Sequence, residues 1–503
     1  MRFPRSSGIL LHPTSLPGKY GIGDLGSEAR AFVDWLAAGK QRLWQVLPIG
    51  PTGYRDSPYQ LFSAFAGNPL LIDLDALVEE GLLDAAGLAG APAFPEDEVK
   101  FGALMRWKLP LLARAAARFL AQPTEDYGNF CLRHAAWLDD FALFMALKDE
   151  HGGVMWTKWD RGVALRDGAA LGDARRRLAG AIEAHKFSQY IFFHQWMALK
   201  AYCRERGIRI IGDMPIYVAH DSADVWANPE LFQLDADGNP AVVAGVPPDY
   251  FSATGQLWGN PVYRWDVLHN RGYGWWIDRF RHTFGLLDYL RLDHFRGFEA
   301  YWAVPAGETT AMNGEWIQGP GAGFFDAVQA ALGELPLIAE NLGVITPEVE
   351  ALRERFGFPG MAILQFAFGK DPQGPDFRPH NYPRHRVAYS GTHDNDTTLG
   401  WWNSEAATDS TRTSEDIEKE RAFALRYLAS DGKEMNWVFI RTLMASVADA
   451  VLFPLQDVLG LGTEARMNLP GSLGRYWRWR FRRGAATPEL AARLRGLAET
   501  YDR

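Results

Sequence analysis

Short apolar runs alternate along this chain with stretches whose apolar residues recur at helical spacing. That alternation predicts parallel strands joined by crossover helices. The runs fall at Gly8–Leu16, Leu43–Ile49, Arg209–Tyr217, Leu287–Asp293, Leu337–Glu340, Met361–Phe366, Arg386–Thr392 and Ala448–Leu455. Eight strands favour closure over an open sheet, so the predicted fold is α/β, a (β/α)8 TIM barrel with large insertions after strands 2 and 3. A helix is predicted over Ser27–Ala38. Another is punctuated by Thr346 as N-cap and Pro347 at its first position, with Gly357 and Pro359 beyond its end.

The strands are unevenly spaced, and the long gaps locate the insertions. Residues 60–200 read as a mainly helical insertion, with a Pro/Ala/Gly-rich stretch at 85–97. Residues 218–285 are dense in Gly, Pro, Asp and aromatic side chains, and 300–325 reads as a smaller loop insertion. All three fit on one barrel spanning 1–503. Long insertions in a compact domain are usually functional. Asp235–Pro240 lacks the full set of acids of a calcium loop and reads as a hairpin turn. Gly460-x-Gly462-x-x-Ala465 lacks the helix a dinucleotide fingerprint requires. The polar stretch 403–416 reads as a solvated loop and a helix start.

Composition narrows the class. With 47 % hydrophobic and 22 % charged residues, the chain reads as a soluble globular enzyme. No run reaches the roughly 18 apolar residues of a membrane helix. The first residues do not read as a signal peptide, which leads us to expect a cytoplasmic protein. Cys131 and Cys203 lie in helix-like segments with no metal-binding spacing, so neither metal nor cofactor is expected. A net charge of −9 argues against a nucleic-acid partner. The outlier is tryptophan, with 19 residues, whose flat faces fill cores but also stack on sugar rings. Trp275-Trp276, Trp401-Trp402 and Trp477/Trp479 are candidate sugar platforms, of which Trp275 and Trp276 read as core. His12 and His220 read as structural rather than as ligands.

Three of the predicted strands end in acids: Asp293, Glu340 and, within Thr392-His393-Asp394-Asn395, Asp394. A carboxylate at the end of a buried strand is costly unless it is paired. Three of them suggest one polar site at the carboxyl end of a barrel. Strand alternation puts Tyr289, Arg291 and Asp293 on one face, with Arg291 and Asp293 roughly 6–7 Å apart. The arginine is expected to depress the pKa of Asp293 and keep it ionised, as a nucleophile or as half of a structural ion pair. Glu340 has no basic residue nearby in sequence and follows Leu337, Ile338 and Ala339, an apolar setting that raises its pKa and suits a proton donor, although a loop-capping role remains open. One anionic and one neutral carboxyl is the division of labour that glycoside cleavage requires.

These segments resemble a known family. Gly212-Asp213-Met-Pro-Ile-Tyr217, Arg291-Leu-Asp293-His294, Ala339-Glu340-Asn341 and Thr392-His393-Asp394-Asn395 look like strand motifs of the α-amylase superfamily. Within it, Gly53-Tyr54-Arg55-Asp56-Ser57-Pro58-Tyr59-Gln60 and Gln256-Leu257-Trp258-Gly259-Asn260-Pro261 resemble the 4-α-glucanotransferases of glycoside hydrolase family 77. The resemblance implies a retaining transfer between α-1,4-glucans, without metal or cofactor. It implies Asp293 as nucleophile, Glu340 as acid/base and Asp394 as transition-state stabiliser. Arg291, His294, His393, Asp213, Tyr59 and Ser57 would contact the sugar. Gln256 and Trp258, with Tyr250 and Phe251, would form a loop over the acceptor side of a substrate groove, and Tyr54 would belong to a second glucan-binding surface. The expected partners are maltooligosaccharides, amylose, starch or glycogen chains, with no membrane and a monomeric state. An amylase-like hydrolase and a non-catalytic glucan-binding protein are the competing readings.

Overall fold

Eight parallel strands form one sheet in the computed structural model, which describes residues 3–248, 252–405, 413–472, 474 and 476–503. They are β1 (Ser6–Leu10), β2 (Leu43–Gln45), β3 (Arg209–Pro215), β4 (Tyr289–Asp293), β5 (Leu337–Ala339), β6 (Gly360–Ile363), β7 (Arg386–Tyr389) and β8 (Ala450–Pro454). The sheet runs β6-β7-β8-β1-β2-β3-β4-β5, so strands adjacent in the chain are adjacent in space. The seam between β5 and β6 is tied by Ala339 N–H donating to Pro359 O at 2.9 Å. Beside it, Met361 N–H donates to Asn341 Oδ1 at 2.8 Å, a side chain standing in for a ladder carbonyl. Gly360 permits that approach, since a Cβ there would meet Asn341 Oδ1 at 2.7 Å. The barrel is therefore nearly closed.

Alternation along the strands builds two cores. Leu43, Ile211, Ile338, Met361, Val387 and Leu452 pack inside the barrel. Ile210, Leu290, Leu292, Leu337, Val451 and Phe453 face outward against the surrounding helices. The interior Tyr389 hydroxyl is satisfied by Gln45 Oε1 at 2.8 Å. The helix Ser27–Ala38 has its predicted bounds. Thr346 holds the N-cap of Pro347–Arg355 in extended conformation, and Gly357 follows that helix at φ +62°. All eight strands are shorter than their apolar runs, and helical turns follow two of them. β1 stops at Leu10, and Pro13–Ser15, opened by a residue with no N–H for a ladder, form a helical turn. β6 stops at Ile363, where Leu364–Ala367 coil into another turn.

The segment between β2 and β3 carries three long helices, Phe101–Leu120, Glu125–Glu150 and Ala179–Glu205. Cys131 and Cys203 lie on the last two as free thiols. The segment between β3 and β4 carries strands Val242–Val246 and Gln256–Pro261. Residues 300–325, expected as a loop, instead supply strands Ala300–Pro305 and Glu315–Gln318. These four pair antiparallel in one sheet, with Val242–Val246 and Ala300–Pro305 at its centre. Asp235–Pro240 is the expected turn, with Asp235 Oδ1 accepting from the N–H groups of Asp237 and Asn239. Trp276 is fully buried, and His220 Nε2 donates to Gly238 O at 2.7 Å. Residues 406–412 of the polar stretch lie outside the described residues; beyond them Thr413 and Asp416 form a capping box at the start of Ser414–Leu428.

Candidate active site

The carboxyl ends of β3, β4 and β5 and the loop after β7 meet at one end of the barrel. In register, Asp213 lies opposite Arg291, and Pro215 opposite Asp293. A single guanidinium nitrogen, Arg291 Nη1, reaches Asp213 Oδ1 at 2.9 Å, Asp213 Oδ2 at 2.8 Å and Asp293 Oδ1 at 2.8 Å. Arg291 is buried, so two carboxylates provide the compensation that a buried cation needs. The Tyr59 hydroxyl donates to Asp213 Oδ2 at 2.9 Å. Ser57 Oγ accepts from Tyr59 N–H at 3.2 Å, so Ser57 props Tyr59 within a serine turn. The Tyr59 ring stacks on His393, with centroids 5.2 Å apart and planes 21° apart.

Glu340 follows β5 and is bound through both oxygens. Oε2 accepts from His294 N–H and Oε1 from Leu342 N–H, each at 2.8 Å. His294 takes the left-handed conformation, φ 53° and ψ 51°, which aims its amide at Glu340. Such a backbone costs about 1–3 kcal/mol in a non-glycine residue and clusters at functional sites. The amide that Glu340 accepts belongs to the residue after Asp293, so the two carboxyls share one turn of chain.

The electrostatics correct one expectation. Burial raises the pKa of Asp293 to about 6, outweighing Arg291. Arg291 is shared with Asp213, and the Asp213 charge itself disfavours a second anion. Burial pushes Glu340 further, to about 7, against the lowering by Arg291 and its two amide bonds. The charge of Asp293 adds to the rise at Glu340, which is the better proton holder of the two. Asp394 goes the other way. Burial would raise it, yet the adjoining His393 and hydrogen bonds from His393 and Asn468 hold it at about 2. His393 Nε2 lies 3.4 Å from Asp394 Oδ2, and Asn468 Nδ2 donates to Asp394 Oδ1 at 2.6 Å.

Two imidazole nitrogens, His294 Nε2 and His393 Nδ1, are buried with no hydrogen-bond partner among the described residues. The Trp258 ring meets His294 edge-on at 4.8 Å. Trp258 and Gln256 lie on strand Gln256–Pro261 rather than in a loop, and Trp258 Nε1 donates to Gln256 Oε1 at 3.3 Å. Tyr250, Phe251 and the side chain of Tyr54 lie outside the described residues. Sequence reading missed Arg466, whose Nη2 donates to Asp394 O at 2.7 Å, and Asn468, whose N–H donates to His393 O at 3.1 Å. Trp477, noted only as a candidate platform, touches both Tyr59 (5.7 Å) and His393 (5.8 Å). Among the described residues no cluster of three or more His, Cys, Asp or Glu could hold a metal, and no helix is long and apolar enough to cross a membrane.

A barrel with a guanidinium-framed Asp and a buried, proton-retaining Glu on adjoining strand ends defines a carbohydrate-active enzyme of the glycoside hydrolase type. The chain belongs to the 4-alpha-glucanotransferase family, glycoside hydrolase family 77, whose model matches residues 11–486. It is 52 % identical over 515 residues to the 4-alpha-glucanotransferase of Thermus thermophilus, covering 100 % of both chains. It is 50 % identical to that of a Synechocystis strain, covering 99 % of this chain and 98 % of the relative. The amylomaltase of Streptococcus agalactiae, solved in complex with acarbose, superimposes with a TM-score of 0.94 at 40 % identity, covering 99 % of each chain.

Proposed function

We propose that this 4-alpha-glucanotransferase moves segments of α-1,4-glucans by double displacement through a glycosyl ester on Asp293. Glu340 protonates the departing glycosidic oxygen while Asp293 Oδ2 attacks C1. Glu340 then takes the proton of an acceptor 4-hydroxyl, which displaces Asp293. The observation that carries the reading is the unequal pair. Asp293 is anchored through Oδ1 to Arg291, and Glu340 is buried among backbone amides one residue away. Asp394, held anionic, suits the cationic character of the transition state. Asp213, His294 and His393 offer polar groups to sugar hydroxyls, and Tyr59 offers its ring. Gln256 and Trp258 edge the acceptor side, with 218–285 and 300–325 as groove walls.

Two measurements test this. Maltotriose should give glucose and longer maltooligosaccharides with little net gain of reducing ends; a steady rise in reducing ends would identify a hydrolase. New glycosidic bonds should keep the α-configuration by NMR, and inverted products would exclude the covalent intermediate.

A further inference from the structure

A further acid follows a strand at this end of the barrel, and it is buried in protein. Asp457 follows β8 on the short helix Leu455–Leu459 and is 1 % exposed. Its carboxylate collects three donors: Ser390 Oγ to Oδ2 at 2.5 Å, Thr398 Oγ1 to Oδ2 at 2.7 Å and Thr398 N–H to Oδ1 at 2.6 Å. Ser390 and Thr398 are themselves fully buried. They bracket the loop that carries His393 and Asp394. Asp457 has no ion-pair partner among the described residues, so a buried charge is held by neutral donors alone. Burying it that way is costly. Only an acceptor-only group, however, can serve three donors at once.

The surrounding contacts extend the arrangement. Asn436 Nδ2 donates to Asp457 O at 2.8 Å, fixing the anchor from the helix Met435–Ala445. From the other side Gln365 Nε2 donates to Asp396 O at 2.8 Å, and Asn395 Oδ1 accepts from Thr392 N–H at 2.8 Å. Of these groups only Asp457 ties the two ends of the loop to each other.

We infer that Asp457 is a positioning residue for the transfer reaction, pinning Ser390 to Thr398 so that His393 and Asp394 keep their reactive placement. The inference rests on the role proposed for Asp394. A group that acts in the transition state loses its effect when displaced by about 1 Å, a change that can cost up to about a hundredfold in rate. Ground-state binding by the remaining pocket suffers less.

Steady-state maltotriose disproportionation by the full chain tests this, with active protein counted by titration of the folded fraction. Asp457→Ala should lower kcat about 10- to 100-fold with KM within about threefold. Asp457→Asn, whose amide oxygen still accepts from Thr398 N–H, should recover part of that loss. Combined with Asp394→Asn, Asp457→Ala should cost far less than it does alone, because both changes disable one unit. Wild-type kcat in folded Asp457→Ala would overturn the inference and leave Asp457 as packing; so would full additivity with Asp394→Asn. If Asp457→Ala does not fold, the double variant Ser390→Ala/Thr398→Val, which leaves the carboxylate in place, decides: reduced kcat at similar KM supports pinning, and unchanged kcat refutes it. An Asp394→Asn enzyme at full rate would instead remove the role assigned to Asp394, and the inference with it.

Discussion

Arg291 serves two carboxylates from one nitrogen, and that sharing governs the residue-scale chemistry. A guanidinium devoted to Asp293 would hold it firmly ionised; a divided one leaves burial in control. On the proposed mechanism, activity requires Asp293 ionised and Glu340 protonated. The rate of transfer should therefore rise as pH climbs through about 6 and fall as it climbs through about 7, a narrow bell measurable as kcat/KM against pH. A plateau extending to pH 9 would contradict the assignment of the acid. Asp293→Asn should abolish transfer while leaving the thermal unfolding profile intact; substantial residual turnover would rule Asp293 out as nucleophile. Tyr59→Phe strips Asp213 Oδ2 of a hydroxyl donor and should reduce kcat/KM by about tenfold, the worth of one hydrogen bond to a charged group.

At the scale of elements, the left-handed His294 shows how a strand end is converted into a site. Its amide donates to Glu340 and its ring meets Trp258, and the two contacts separate by substitution. Asn tolerates the left-handed region and a β-branched residue does not. His294→Asn should thus melt near the wild type yet turn over poorly. His294→Val should lose about 1–3 kcal/mol of stability as well, read as a lower melting temperature. The strands themselves were readable from short apolar runs, and the three acids from their positions at run ends. The same rule applied to Ala448–Leu455 points to Asp457, two residues past the run. What sequence could not give were contacts set by register and distant return of the chain. Examples are Asp213 against Arg291, Asn468 against Asp394, and the pairing of 300–325 with 242–261 in one sheet. Nothing local marks these partners, because each pair is brought together only when the barrel closes. The expected depression of the Asp293 pKa failed for the same reason, since Asp213, its competitor for Arg291, is remote in sequence.

At the scale of the molecule, the barrel is fastened at the end opposite the site. Arg503 donates to the carbonyls of Met444, Leu443, Ser446, Ala448 and Ser6 at 2.8–3.2 Å. Arg5 donates to Ser446 O and Tyr501 O at 2.9 and 3.0 Å. One guanidinium thereby ties the approach to β8 to the first residue of β1. Arg503→Ala should speed thermal inactivation while leaving kcat on maltotriose at 25 °C unchanged. Loss of transfer activity in the folded variant would show instead that the two ends of the barrel are coupled.

The divided arginine has a kinetic consequence for the second half of the reaction. A carboxylate whose conjugate acid is weak makes a poor leaving group. On the proposed mechanism the glycosyl ester of Asp293 is for that reason comparatively durable. Its lifetime sets how long the enzyme can wait while one glucan end departs and another arrives. Partition between a passing water and an incoming chain is decided during that wait, so Asp213, by drawing off part of the Arg291 charge, helps to time the exchange of partners.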